Sequence, residues 1–213
     1  MILLQPVLEV RTRDGFDLWP VAGAQPYTFA PLSGALSSAE VGAAVMYIAA
    51  CNDSDPEEDG RPPRPVDPLG AFLHGLLTVD TLFASGGLRA VDTASGVALV
   101  PGCCNGMDER RDWSAVFDDR GRASFGHDPS ACAERFGSSV RLTVDAERDG
   151  GPVIEVSVAE LRRLLASAER DLVDFLRLVG PWADGRLPDH AARVTAAVAR
   201  ALDVPGPASG DAS

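Results

Sequence analysis

Two thiols stand side by side in Pro101-Gly102-Cys103-Cys104-Asn105-Gly106, a glycine-flanked turn between an apolar run and a polar segment of helical character. The five residues from Gly102 match G-x-nucleophile-x-G with Cys104 in the central place, after a strand and before a helix. A thiol near a helix N-terminus gains thiolate character, and the thiolate is the nucleophile. A base is then required. His127 follows Cys104 by 23 residues, and His190 lies at a spacing closer to the hydrolase order. Against an elbow stands the sheet type, because that motif belongs to parallel sheets and this chain reads as hairpins. The structural alternative has the glycines permitting a tight turn, one cysteine packed as a small hydrophobe and Asn105 capping the next helix.

His127 lies in Gly126-His127-Asp128-Pro129, an imidazole beside a carboxylate. That pairing suits proton transfer if the two side chains meet. Alternatively Asp128 caps a short helix over about 129–136 and His127 is a turn residue. Cys103, Cys104, His127 and Cys132 form a conceivable metal set, but zinc ligands usually come as C-x2-4-C, and adjacent cysteines depart from that spacing. No metal and no cofactor is assigned. His74 falls in an apolar helical run and reads as a satisfied core residue, and His190 as an exposed first-turn residue. Asp53 to Gly60 superficially resembles a calcium loop. It has Glu58 where the sixth position needs glycine and Arg64 where the twelfth needs glutamate.

Charge points elsewhere. The 213 residues carry 31 acids against 19 basic residues, a net charge of −12, and every basic residue is arginine. Without lysine there is no Schiff base, no P-loop lysine and no kinase-type strand lysine. Residues 1–60 hold nine acids and two arginines, so most of the acidity is N-terminal. Such a surface repels phosphate backbones and anionic membranes and favours a basic protein partner. The segment Asn52 to Pro68, with five prolines and six acids, reads as a mobile acidic loop. Its Asp53, Asp55, Glu57, Glu58 and Asp59 are the expected binding residues for such a partner. Met1 to Pro6 lacks a charged n-region and a long apolar h-region, and the apolar run Val41 to Cys51 is too short to span a bilayer. The expected compartment is the cytoplasm, where the four cysteines would stay reduced.

The elements that must position these residues follow from periodicity and punctuation. Residues 5–13 and 16–21 read as a hairpin at Asp14-Gly15, 88–91 and 97–100 as a second, and 140–145 and 153–156 as a third. Ser37 with Glu40 forms a capping box opening a helix over about 38–51. A helix over 69–85 ends at Gly86-Gly87, and another spans about 106–117, with Trp113, Val116 and Phe117 inward and its arginines paired to Asp108, Glu109 and Asp112. Ser157 with Glu160 opens an amphipathic helix whose face carries Leu161, Leu164, Leu165, Ala168, Leu172, Phe175, Leu176 and Val179, ended by Gly180-Pro181. A last helix covers about 188–202. Hairpins without strand–helix alternation give an α+β class, an antiparallel sheet covered by amphipathic helices. One domain is expected over 1–204, with a disordered tail over 205–213.

The runs Phe83 to Arg89, Gly102 to Gly106, Gly126 to Pro129 and the Leu161–Phe175 helix, in that order, resemble an uncharacterised family of G+C-rich bacterial proteins. The resemblance spans Leu82 to Trp182, about half the chain, and implies no activity and no site residue. Two functions follow from the residues themselves. The first is a cytoplasmic acidic interaction module, of the immunity type, that masks a basic partner. The alternative is a cysteine-dependent hydrolase or acyl-transfer enzyme using Cys104, with His127 or His190 as base.

Overall fold

A computed structural model describes residues 1–118 and 121–206. The fold is α+β with antiparallel strands. Its residues group into two compact units, one made of Met1–Leu8 with Ser85–Asp171, the other of Glu9–Ala84 with Leu172–Ser213. Among the described residues no helix is long and apolar enough to cross a membrane.

In the first unit, β1 (Ile2–Glu9) pairs antiparallel with β3 (Gly86–Asp92), and β3 pairs with β4 (Ala98–Leu99). The β3–β4 hairpin is the expected one. The 5–21 hairpin does not form: β1 takes its partner from some 80 residues along the chain, Leu4 facing Ala90 and Val7 facing Gly87. Residues 16–21 form no strand. Phe16 and Trp19 instead join Phe72 in an aromatic cluster of the second unit, with ring centroids 4.8 to 5.7 Å apart.

A meander follows, formed by β5 (Arg122–Ser124), β6 (Cys132–Phe136), β7 (Ser139–Thr143) and β8 (Val153–Ser157). The β7–β8 hairpin is the expected one, while β6 replaces the short helix read over 129–136. Ala133 and Leu142, opposite each other, are buried on the face that alternation selects. That face closes over Leu88, Leu99, Trp113, Phe125, Leu161 and Ala168 to make one apolar core. Burial of each large side chain there contributes about 2 kcal/mol.

Residues Met107–Val116 are helical as expected, but as a 3₁₀ helix with Gly106 at its cap. Asn105 does not cap it; its amide Nδ2 donates to the carbonyls of Gly86 and Gly106. Trp113 and Val116 point inward, and Trp113 stacks on Phe125 with centroids 4.2 Å apart. Arg110 also reaches beyond its own helix. Its buried guanidinium reaches Glu169, Nε donating at 2.9 Å and Nη2 at 3.3 Å, and Nη1 donates to the Met107 carbonyl. Arg110→Ala removes a buried cation from a partly exposed pair. The expected cost is about 2 kcal/mol by denaturant melt, more than Glu169→Gln, because only the arginine end is dry.

In the second unit lie β2 (Phe29–Pro31), α1 (Ser38–Cys51), α2 (Pro68–Thr78) and α4 (Ala191–Ala201). Ser37 and Glu40 make the complete capping box that opens α1. Helix α2 stops seven residues before Gly86, at a Val79 cap in extended conformation, and the two glycines begin β3. His74 is buried on α2 as expected, but among the described residues neither ring nitrogen has a hydrogen-bond partner. His190 is the N-cap residue of α4 and half-buried.

Helix α3 (Val158–Arg186) belongs to the first unit up to Asp171 and to the second from Leu172. The Ser157 hydroxyl caps it through the Glu160 amide, while the Glu160 carboxylate turns to Arg163. It does not end at Gly180-Pro181. Proline normally breaks a helix interior, yet Trp182 and Ala183 beyond it are buried, Trp182 packing edge-on to Trp19 at 5.6 Å. That burial outweighs the missing N–H. Residues 207–213 of the expected tail lie outside the described residues.

Candidate active site

The cysteine turn is held from both ends. At its start the Gly102 amide donates to the Phe125 carbonyl at 2.8 Å, and Cys103 forms an isolated antiparallel bridge with His127. At its end the Asn105 side chain, buried, is tied to Gly86 at the head of β3. Phe125 itself is fixed by its stack on Trp113. The two segments that the sequence could not connect therefore lie strand to strand.

Glycine makes that approach feasible. A Cβ on Gly102 would stand 2.4 Å from the Pro129 carbonyl oxygen and 2.6 Å from both the amide nitrogen and carbonyl oxygen of His127. At Gly126, with φ +84°, a Cβ would stand 2.7 Å from the Cys103 carbonyl oxygen. Any side chain at Gly102 would wedge the segments apart.

Cys104 has φ +63°, a left-handed conformation that costs a non-glycine residue about 1 kcal/mol or more. Neighbouring residues on an extended strand project to opposite faces. Here the two sulfurs instead lie 3.4 Å apart. Cys103 Sγ, Cys104 Sγ and a His127 ring nitrogen all fall within 4.8 Å of one another, and all three side chains are exposed. The Asp128 carboxylate, also in a left-handed residue at φ +48°, accepts from His127 Nδ1 at 3.3 Å.

No family model, curated protein or solved structure matches this chain. The chemistry must be read from the groups themselves.

The thiolate of Cys104 is favoured first by a hydrogen bond from the Cys103 thiol, then by one from His127, so its pKa lies below that of an ordinary cysteine. Glu109, in the first turn of the 3₁₀ helix, opposes this through its charge. His127 is raised in return, first by its bond to Cys104 and then by Asp128. Donor and acceptor thus lean toward the ion pair, a thiolate beside an imidazolium. This is the arrangement that activates a sulfur nucleophile, with the base oriented by a third group.

Cys132 stands apart from the other members of the conceivable metal set, buried on β6 between Ser124 and Thr143. Among the described residues, three donors remain in reach of one another, one fewer than a closed structural zinc site requires. His190 lies in the second unit, and Cys51 is half-buried on α1.

The acidic segment is built differently from its composition. Arg13 and Arg64 both donate to the Asp53 carboxylate. Arg61, its side chain only 8% exposed, bonds Asp59, Ser54 and Thr78. Asp55 accepts from the Glu57 amide. Glu57 and Glu58 are exposed. The charges that a binding reading needs are thus partly matched by arginines of the same unit.

The sequence offered His127 beside Asp128 as a pair that could meet, and the structure brings their side chains together. Nothing short of the fold signalled Cys103 as a donor to Cys104.

Proposed function

We propose that this protein carries out covalent thiol chemistry, with Cys104 as the attacking sulfur, His127 as its proton partner and Asp128 as the group that orients the imidazole. The observation that carries this is the convergence of two sulfurs and one imidazole within 4.8 Å on an exposed surface. A strained backbone at Cys104 accompanies it, as is common where reactive groups are placed. The antiparallel setting differs from a nucleophile elbow, so the support comes from geometry and not from the G-x-C-x-G pattern.

Iodoacetamide alkylation followed cysteine by cysteine across pH tests the reading. Cys104 is expected to react fastest of the four cysteines, with its rate rising at lower pH than that of an ordinary thiol. A Cys104 profile matching an ordinary thiol ends the proposal.

A second reading, the acidic module that masks a basic partner, is supported by the net charge of −12 and by exposed Glu57 and Glu58. Binding steered by charge is fast and weakens with salt. A pull-down that recovers the same proteins at low and high salt contradicts it.

A further inference from the structure

We propose that Cys103 is the resolving thiol of Cys104, so that the site reduces a hydroperoxide and closes a reversible disulfide between these adjacent residues. This rests on the reading of Cys104 as the reactive sulfur and assigns its substrate class.

The argument begins with the second thiol. Acyl transfer through Cys104 uses Cys103 only as a hydrogen-bond donor, and an exposed thiol 3.4 Å away could itself take the acyl group by thioester exchange. Redox chemistry uses both sulfurs. Sensor and peroxidatic cysteines combine thiolate character, accessibility and a neighbouring resolving cysteine. All three are present here. A hydroperoxide is small and needs little enclosure, which suits side chains as exposed as these.

The steps balance as follows. The Cys104 thiolate attacks the terminal oxygen of R–O–O–H; the S–O bond forms and the O–O bond breaks. The leaving alkoxide takes the proton of the His127 imidazolium and departs as ROH, and Cys104 becomes a sulfenic acid. The sulfur has lost two electrons and the peroxide has gained them. Cys103 then gives its proton to the now neutral His127, and its sulfur attacks the Cys104 sulfur. Hydroxide leaves and takes that proton, giving water and the disulfide. A dithiol reductant restores both thiols by exchange through a mixed disulfide.

The sulfurs need to close from 3.4 Å to about 2.05 Å. Neighbouring Cα atoms lie about 3.8 Å apart across a trans peptide, shorter than the 4.4–6.8 Å usual for a disulfide. The product is therefore strained, and strained disulfides are the readily reduced ones. Reopening by a dithiol is correspondingly easy.

The test treats the full chain with stoichiometric hydrogen peroxide and maps the peptides cut at arginine. Cleavage after Arg89 and Arg110 puts Cys103 and Cys104 on one peptide, 90–110, separate from Cys51 and Cys132. That peptide is expected to lose the mass of two hydrogens, to regain it with dithiothreitol, and to sustain peroxide consumption when dithiothreitol is in excess. Cys103→Ser should hold Cys104 as a sulfenic acid that dimedone traps. Cys104→Ser should slow oxidation of the peptide by roughly tenfold or more, since the sulfur assigned to the attack is gone. Both residues are exposed, so the serine variants should keep the wild-type circular dichroism. Intact thiols on 90–110, or oxidation straight to sulfinic acid, would overturn the inference. If Cys104 still alkylates early in pH, the reading of Cys104 as nucleophile survives that result; if it does not, both fall.

Discussion

Gly102→Ala is expected to lower stability by about 2–3 kcal/mol and to silence the site in the same step. The new methyl would meet three backbone atoms of the 127–129 segment inside 2.7 Å, and backbone cannot rotate away as a side chain can. Overpacking of this kind typically costs 1–3 kcal/mol. For a chain of this size the melting temperature should fall by roughly 5–10 °C. The Cys103–His127 bridge opens, the imidazole leaves Cys104, and early alkylation at Cys104 disappears. Gly185→Ala makes the contrast, because nothing lies within 4 Å of a Cβ there and the residue is helical. It should stabilise by about 0.5–1 kcal/mol and leave alkylation unchanged. A Gly102→Ala protein with wild-type melting and wild-type Cys104 reactivity would show that the close approach is unnecessary.

His127→Ala has the largest expected effect on chemistry. The thiolate is present above the Cys104 pKa, which Cys103 and His127 lower, and the imidazolium is present below the His127 pKa, which Cys104 and Asp128 raise. Each shift therefore favours the ion pair, and the reactivity of Cys104 rises as pH climbs through a thiol pKa held below the ordinary one. Removing the ring should move that rise to higher pH, toward an ordinary thiol, while leaving the contribution of Cys103. Where turnover needs the proton of His127, its loss should cost about a hundredfold or more. Asp128→Asn should act in the same direction more weakly, since the carboxylate reaches Cys104 only through the ring. Both groups are solvent-exposed, so neither variant should change stability much.

Local signals carried much of the fold. Ser37 with Glu40 marked the start of α1, and the turns at 92–96 and 149–151 marked two hairpins whose partners are sequence neighbours. Long-range pairing was not legible. Nothing near Ile2–Glu9 announces that its partner is Gly86–Asp92, and Asp14-Gly15 forms its turn without a second strand. Strand β6, Cys-Ala-Glu-Arg-Phe, has no β-branched residue, and only its place between β5 and β7 makes it a strand. Pro181 sits inside a helix because Trp182 is buried beyond it. At the site, residue types were legible and proximity was not. The GCCNG and GHDP segments stood out separately, but their meeting depends on the small size of Gly102 and on the positive φ of Cys104, which the sequence does not display.

The imidazole ring of His127 reports the central claim directly. With three histidines in the chain, its ring resonances can be assigned by substitution and followed by NMR through a pH titration. In the wild type the ring should stay protonated to higher pH than a free imidazole, and in Cys104→Ser it should release its proton earlier, because its largest stabilising partner is gone. A ring that titrates identically with and without the Cys104 sulfur would contradict the account.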